Sequence, residues 1–127
     1  MRRITLLMGL LALSVTGVTA SAGGSEPTGQ TSAAAAVSMG DNFFSPARKR
    51  VKPRTTVTWT NNGQNPHTAT ADNGSFDTGR LAPGERGSKT FKKLGKFPYF
   101  CQIHPNMRGT IKVCKKVNGK LVCKKPG

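Results

Sequence analysis

The fold of this chain is constrained most by short runs that alternate between apolar and polar residues and are separated by turn-forming sequences. In the run 55–60, Val57 and Trp59 fall on one side and the threonines on the other, which is the two-residue period of a β-strand. Asn61-Asn62-Gly63 then ends the run, because these residue types favour turns. No apolar 3.6-residue period persists after residue 37. We therefore expect an all-β domain built as an antiparallel β-sandwich.

The apolar residues of these runs are enough for one small core. In the run 96–101, Phe97, Tyr99 and Cys101 share one face, which aims the thiol inward together with two aromatic rings. The expected core consists of twelve apolar residues: Phe43, Phe44, Val57, Trp59, Phe76, Leu81, Phe91, Leu94, Phe97, Tyr99, Ile111 and Val113.

The first residues show the pattern of a secretory signal. Arg2 and Arg3 precede an apolar stretch from residue 4 to residue 18, and Ala20-Ser21-Ala22 resembles a cleavage site. The stretch is shorter than the roughly 20 residues that a membrane-spanning helix needs. We expect residues 1–22 to be a cleaved signal peptide, with no membrane insertion afterwards, and the protein to be periplasmic, extracellular or at the cell surface. A retained anchor is the alternative.

The remaining chain divides into three segments. Residues 23–36 are small and polar with four alanines at the end, so we expect a flexible linker. The alternating runs place a single folded domain over residues 37–113. Residues 114–127 are rich in lysine, and we expect them to form a basic hairpin and tail.

The hairpin also predicts a disulfide. Asn118-Gly119 is a preferred dipeptide for a two-residue hairpin turn. Pairing outward from this turn brings Cys114 opposite Cys123 at a non-hydrogen-bonded position, where Cα atoms approach to about 4.5 Å. This separation suits a disulfide, and closing so small a loop stabilises it by roughly 2–3 kcal/mol in the chain-entropy model.

The chain is strongly basic, with a formal net charge of +15. Nucleic-acid binding is one explanation, but the sequence contains no helix-turn-helix pattern, no zinc-finger spacing and no basic motif interleaved with aromatic residues. A solvated basic surface that steers the protein toward an acidic partner is the better interpretation. Its association rate with such a partner is expected to fall as salt rises.

One short segment carries the chemistry. Cys101, His104 and Met107 lie at even spacings on a loop, and His67 supplies a second imidazole from Asn65-Pro66-His67-Thr68. Two imidazoles, one thiolate and one thioether form the ligand set of a blue-copper electron-transfer site. Because the disulfide uses the other two cysteines, Cys101 is the unpaired thiol of an exported protein, and copper would explain why it is kept.

Two other site types compete with copper. Zinc usually takes four ligands from Cys, His and carboxylates, and a thioether suits it poorly. Nothing in the sequence places Asp72 or Asp77 near the loop. A Cys–His nucleophile pair is the enzymatic alternative, but Cys101 and His104 share one tight turn and no oxyanion hole or substrate pocket is signalled. We therefore expect a protein that is not an enzyme.

Over residues 37–113 the chain resembles a small bacterial cupredoxin of the plastocyanin and amicyanin group. The stretches that carry the resemblance are 41–46, 57–61, 66–68, 74–79, 81–85 and 99–107. The resemblance implies an eight-stranded Greek-key sandwich with one type 1 copper ion at one end. It also implies that His67, Cys101 and His104 are strong ligands and that Met107 is a weak axial one.

The resemblance further implies that His104 is the exposed electron port, within an apolar patch to which Pro66, Pro105 and Met107 contribute. Two positions depart from the family pattern. Thr68 follows the first histidine where many members carry Asn, and Gln102 follows the cysteine where Thr or Ser is common. We expect the Thr68 hydroxyl to serve the ligand loop instead.

The function expected from the sequence is outer-sphere electron transfer by a monomer that cycles between Cu(I) and Cu(II) and meets an acidic redox partner protein. Copper sequestration or delivery is the first alternative, although the chain lacks Met-rich or His-rich tracts. The second alternative is a cationic surface-binding module that keeps the sandwich fold without using the site.

Overall fold

A computed structural model describes residues 32–123, so the predicted signal peptide and most of the predicted linker lie outside the described residues. Two four-stranded sheets form the body of the domain, and a two-stranded hairpin follows them. The strands are β1 (Ala33–Gly40), β2 (Phe43–Ser45), β3 (Arg48–Val51), β4 (Thr55–Asn61), β5 (Thr70–Ala71), β6 (Arg86–Phe91), β7 (Gly95–Phe100), β8 (Arg108–Val113), β9 (Lys115–Val117) and β10 (Lys120–Val122). The described residues contain no helix long and apolar enough to cross a membrane.

The first sheet has the order β2-β1-β4-β6 and the second the order β3-β8-β7-β5. The all-β sandwich expected from the sequence is confirmed. Each sheet also contains one parallel pair, β1 with β4 and β3 with β8, while the other pairs are antiparallel. Alternation reports which face of a strand is buried, and it does not report strand direction.

The core is a cluster of aromatic and aliphatic side chains between the two sheets. Trp59 and Tyr99 are fully buried, with ring centroids 5.4 Å apart in an edge-to-face arrangement. Phe76 stacks on Trp59 at 5.5 Å, and Phe91 meets both of these rings edge-on. The Trp59 indole N–H and the Tyr99 hydroxyl have no hydrogen-bond partner.

The prediction of the core is wrong for two residues. Phe43 is 56% exposed and Leu94 is 49% exposed, whereas the other ten residues are buried or, for Phe97, packed against the buried cluster. Phe43 and Phe44 are adjacent on β2, so only one of them can point inward, and Phe44 does. Leu94 lies in the loop between β6 and β7, where no strand period applies.

The boundary between linker and domain also differs from the expectation. Strand β1 begins at Ala33, so the four alanines lie inside a strand rather than in the linker that was predicted to extend to residue 36. These alanines pair with residues 55–58 of β4. The hydrogen bonds between the two strands join backbone groups, so they form even though the side chains are small.

The C-terminal hairpin matches the prediction closely. Lys120 pairs with Val117, and Val122 pairs with Lys115. Asn118 and Gly119 adopt positive φ values of 49° and 79°, as a type I′ turn requires. A Cys114–Cys123 disulfide closes the hairpin with a Cα–Cα distance of 4.3 Å, which confirms the predicted bond.

Candidate metal centre

The segment between β4 and β5 positions His67. Its backbone N–H donates to the Leu81 carbonyl at 3.0 Å, and its carbonyl accepts from the Leu81 N–H at 2.8 Å. The buried Asn61 side chain donates to the carbonyls of Asn65 and Leu81, at 2.8 and 2.9 Å. These contacts hold the chain on both sides of His67 and so fix where its side chain enters the site.

The turn between β7 and β8 positions the other three residues. The N–H of Cys101 donates to the Met107 carbonyl at 3.0 Å, and the N–H of Met107 donates to the His104 carbonyl at 2.8 Å. Cys101 follows the last residue of β7, and Met107 precedes the first residue of β8. The short spacing of Cys101, His104 and Met107 therefore closes a compact loop whose ends are held by two paired strands.

The donor atoms of the two segments converge. The Nδ1 atoms of His67 and His104 are 3.1 Å apart, and Sγ of Cys101 is 3.8 Å from each of them. One donor atom from each of these three residues lies within 4.8 Å of the others. The structure thus brings together the histidine from residues 65–68 and the late loop, which lie 34 to 37 residues apart in sequence.

The site is closed to solvent except at one ligand. His67, Cys101 and Met107 are fully buried, whereas His104 is half-buried. Cys101 is also the free cysteine of the described residues. A buried thiol and a buried imidazole exclude water from the centre of the cluster, and His104 alone connects it to the surface.

Hydrogen bonds from Thr68 tie the two segments together. Its backbone N–H donates to Sγ of Cys101 at 3.3 Å, and its Oγ1 accepts from the backbone N–H of Gln102 at 2.9 Å. The Thr68 hydroxyl also lies 3.0 Å from that of Thr70. The Thr68 hydroxyl therefore contacts the loop that carries Cys101, as expected from the sequence.

Asp41 is a site residue that the sequence interpretation missed. Its carboxylate lies 3.0 Å from Nε2 of His67 and also accepts from the backbone N–H groups of Gln64 and Asn65. The His67 hydrogen bond, followed by the two backbone bonds, holds the pKa of Asp41 below its ordinary value. With Nε2–H donated to Asp41, the Nδ1 lone pair of His67 is directed at the other donors.

The surface around His104 differs from the expected apolar patch in one member. Met107 is fully buried and contributes nothing to the surface, which corrects that expectation. Pro105 is exposed, Pro66 is half-buried, and Ile103 adds an apolar side chain that is 40% exposed. Met107 packs in the buried cluster instead, directly before β8 in the loop that also carries Cys101 and His104.

This donor set fits one type 1 copper ion. A thiolate and a thioether are soft ligands that favour Cu(I), and imidazole suits both copper states. No carboxylate belongs to the cluster of the described residues, and the acid nearest to it, Asp41, binds the far nitrogen of His67. Zinc sites with Cys and His usually complete their coordination with a further Cys, His or carboxylate, and this cluster offers none.

Comparisons with known proteins agree with this geometry. The Cupredoxin-like domain model matches residues 4–113. Chloroplastic plastocyanin from Tetradesmus obliquus is 36% identical over 72 residues, which cover 48% of this chain and 50% of that protein. The chain therefore spans about half the length of this curated relative.

Solved structures show the same fold. A purple cupredoxin from Nitrosopumilus maritimus is 30% identical with a TM-score of 0.57, covering 62% of this chain and 98% of its own. An oxidised amicyanin variant is 26% identical with a TM-score of 0.59, covering 62% and 80% respectively. With its sandwich, its converging donors and a family match over most of its length, this chain belongs to the cupredoxin-like family.

Proposed function

We propose that the protein is an exported electron-transfer protein that holds one type 1 copper ion with His67, Cys101, His104 and Met107. The observation that carries this proposal is the convergence of two imidazole nitrogens and one thiolate sulfur in a buried cluster that only His104 connects to the surface. When bound, copper supplies one-electron chemistry between Cu(I) and Cu(II). Three of the four ligands are fully buried and His104 is half-buried, which supports electron exchange rather than direct contact with a substrate, and we propose that the protein is not an enzyme.

The chain contributes a rigid set of donors. The backbone bonds of His67 to Leu81, and of Cys101 to Met107, fix both ligand segments without help from the metal. Donors that keep their places when the charge of the site changes require little rearrangement, and this favours fast electron exchange. The N–H of Thr68 at Sγ of Cys101 adds a positive dipole beside the thiolate and stabilises its negative charge.

The exposure of His104 also determines where an electron would leave the site. His104 is the ligand nearest to solvent, and Ile103 and Pro105 lie beside it in sequence with exposed apolar surface. A redox partner that packs against these residues would exclude water around the His104 ring. Without Arg2 and Arg3 of the predicted signal peptide, 18 Lys and Arg remain against 5 Asp and Glu, a net charge of +13 that favours a partner with an acidic surface, and we expect the protein to act as a monomer.

The first experiment tests the copper site. Cu(II) added to the purified, reduced mature protein should produce an intense thiolate-to-copper absorption. Cys101→Ser should abolish this absorption, whereas the paired change Cys114→Ser and Cys123→Ser should leave it intact, because those cysteines lie in the hairpin. Strong absorption in the Cys101→Ser protein would overturn the assignment of the ligands.

The second experiment separates electron transfer from copper delivery. A reversible one-electron wave in voltammetry, together with slow loss of copper to a chelator, is the expected result. Rapid copper exchange without a reversible wave would favour sequestration or delivery instead. Sequencing of the mature N-terminus tests export separately, and the expected first residue is Gly23.

A further inference from the structure

Strand β3 leaves one edge of the second sheet open. It is the first strand of the order β3-β8-β7-β5, and no described strand pairs with its other side. The carbonyls of Ala47 and Val51 accept from the N–H groups of Thr110 and Cys114 on the β8 side. Because alternate residues of a strand face opposite sides, the N–H and C=O groups of Arg48 and Arg50 point toward the open edge.

The same two residues are cationic and lie among other cations. Arg50 is directly opposite Lys112 on β8, and Lys112 is directly opposite Lys96 on β7. Like charges placed directly across a sheet are destabilising. No described carboxylate lies within ion-pair distance of this row, since the ion pairs of residues 32–123 involve Asp41 and Asp72 with other partners. The stability of the fold therefore does not explain the row.

The surface beside the open edge is concave. A groove of about 440 Å³ is lined by Pro46, Arg48, Lys49, Arg50 and Lys112. Both arginines are exposed, so their guanidinium groups can form paired hydrogen bonds with carboxylates. Arg48 and Arg50 are two residues apart, a separation of roughly 6.6–6.8 Å along a strand, which is also the spacing of alternate side chains in any extended peptide.

A charged edge also prevents pairing between copies of one protein. That role needs only repulsion of a like strand, and one lysine can supply it. Here two arginines and two lysines converge on a groove beside free backbone groups, an arrangement that repels a second copy of the chain and attracts an extended acidic segment.

We propose that this groove, with the open edge of β3, binds an extended acidic segment of a partner protein by strand addition. The backbone of the segment pairs with Arg48 and Arg50, and its alternate carboxylates contact their guanidinium groups, while Lys112 on β8 adds positive charge one strand further in. Arg48 is level with Thr110 and Val51 with Val113, so the open edge runs along β8 toward the hairpin. Binding here requires neither the copper chemistry nor the electron-transfer role of the protein.

The test uses the copper-loaded protein in its Cu(I) form and a synthetic peptide of alternating Glu and Val residues. Peptide binding should slow hydrogen exchange at the amides of Arg48 and Arg50, as measured by NMR. The same peptide with N-methylated backbone positions keeps its carboxylates but cannot pair, and it should lose this protection. Equal protection by both peptides would overturn strand addition.

A pair of charge reversals tests the location of the site. Arg48→Glu with Arg50→Glu should weaken peptide binding at least about tenfold, because attractive contacts become repulsive ones. The matched control, Lys92→Glu with Lys93→Glu, changes the net charge equally in the exposed loop between β6 and β7 and should weaken binding only about as much as net charge does, within roughly threefold. Equal losses in the two variants would overturn the proposal.

Two further measurements complete the test. If the double glutamate variant does not fold, Arg48→Gln with Arg50→Gln provides the milder version, and its binding should still be several-fold weaker than that of the control. Polyphosphate and phosphatidylglycerol vesicles serve as competing anions. Protection of the Arg48 and Arg50 amides by either of these, equal to that by the peptide, would show a general anionic surface and overturn the proposal.

Discussion

The two ends of the sandwich are ordered by different means. We call the end that holds His67 and the 101–107 loop the site end. Four of the five buried polar residues lie there: Asn61, His67, Thr68 and Thr70. The four described carboxylates also lie toward this end: Asp41, Asp72, Asp77 and Glu85. The distal end, formed by the 52–54 turn, the 92–94 loop and the 114–123 hairpin, has exposed lysines and a disulfide.

This difference indicates how each end responds to change. At the site end, hydrogen bonds hold the buried polar side chains around the atoms that would bind the metal. The positions of these side chains therefore depend on many weak contacts. At the distal end one covalent bond holds a hairpin whose six strand residues are all exposed. We expect damage to either end to stay local, and the predictions below test that independence.

The largest effect is expected when the two histidines are compared. Both His67→Gly and His104→Gly should lose the copper absorption completely, because each removes one nitrogen donor. Added imidazole should restore the absorption in His104→Gly, since that position reaches solvent, and should fail in His67→Gly, where the ring is fully buried. Absorption spectroscopy during an imidazole titration is the measurement. Equal rescue would mean that the two ligands do not differ in access.

The next effect is expected from the hairpin. Cys114→Ser with Cys123→Ser removes a closed loop whose constraint is worth roughly 2–3 kcal/mol in the chain-entropy model. Because the hairpin strands are exposed, the loss should appear as faster hydrogen exchange over residues 115–122, with an unchanged copper absorption. A loss of copper binding in this variant would show that the two ends are coupled.

A smaller effect is expected from Asp41. Asp41→Ala removes the carboxylate that orients His67, and the loss of such a partner typically lowers metal affinity about 10- to 100-fold. Competition with a chelator measures this affinity. Asp72→Ala is the matched control, because Asp72 pairs with Arg108 and does not touch a ligand. The same loss in both variants would assign the effect to surface charge.

The smallest effect is expected in the core that joins the two ends. Burial raises the pKa of Tyr99 to about 12, and the nearby Trp59 N–H offsets part of this rise although the two groups do not reach hydrogen-bond geometry. A pKa raised in the folded state gives stability that is present below about pH 10 and is lost as pH rises through the folded value. Wild-type protein should therefore be about 1.3 kcal/mol less stable at pH 11 than at pH 9 from this residue alone.

Tyr99→Phe isolates that contribution, because lysines also titrate in this range. The variant should be as stable as the wild type at pH 7, since the hydroxyl it loses has no partner. Its stability should then fall less between pH 9 and pH 11, as measured by urea unfolding. Parallel curves for the two proteins would show that Tyr99 does not stay protonated in the folded state.

The sequence predicted best what local geometry decides. The hairpin register and its disulfide follow from one turn dipeptide, and the donors of the 101–107 loop follow from their spacing. The choice of His67 as the second imidazole came from the ligand set of a blue-copper site and was supported by the family resemblance. No local pattern shows its approach to the loop, because residues 34 to 37 positions apart meet only through the sheet topology. The all-β fold class was predicted correctly from the two-residue alternation, and the eight-stranded body from the family resemblance.

What the sequence could not predict depends on packing between distant elements. Asp41 meets His67 only because the β1–β2 turn lies beside the segment after β4, and no local pattern marks such a contact. The exposure of Phe43 depends on which of two adjacent phenylalanines points inward. The start of β1 at Ala33 depends on a parallel partner more than twenty residues away, which alanine side chains do not signal.

The burial of Trp59 gives this protein an internal optical gauge. It is the single tryptophan of the chain, it is fully buried beside the rings of Phe76, Phe91 and Tyr99, and its N–H has no hydrogen-bond partner. An indole in such dry surroundings emits at short wavelength, and its fluorescence shifts to the red when water reaches it. Unfolding of this molecule can thus be followed from one native chromophore, without a label.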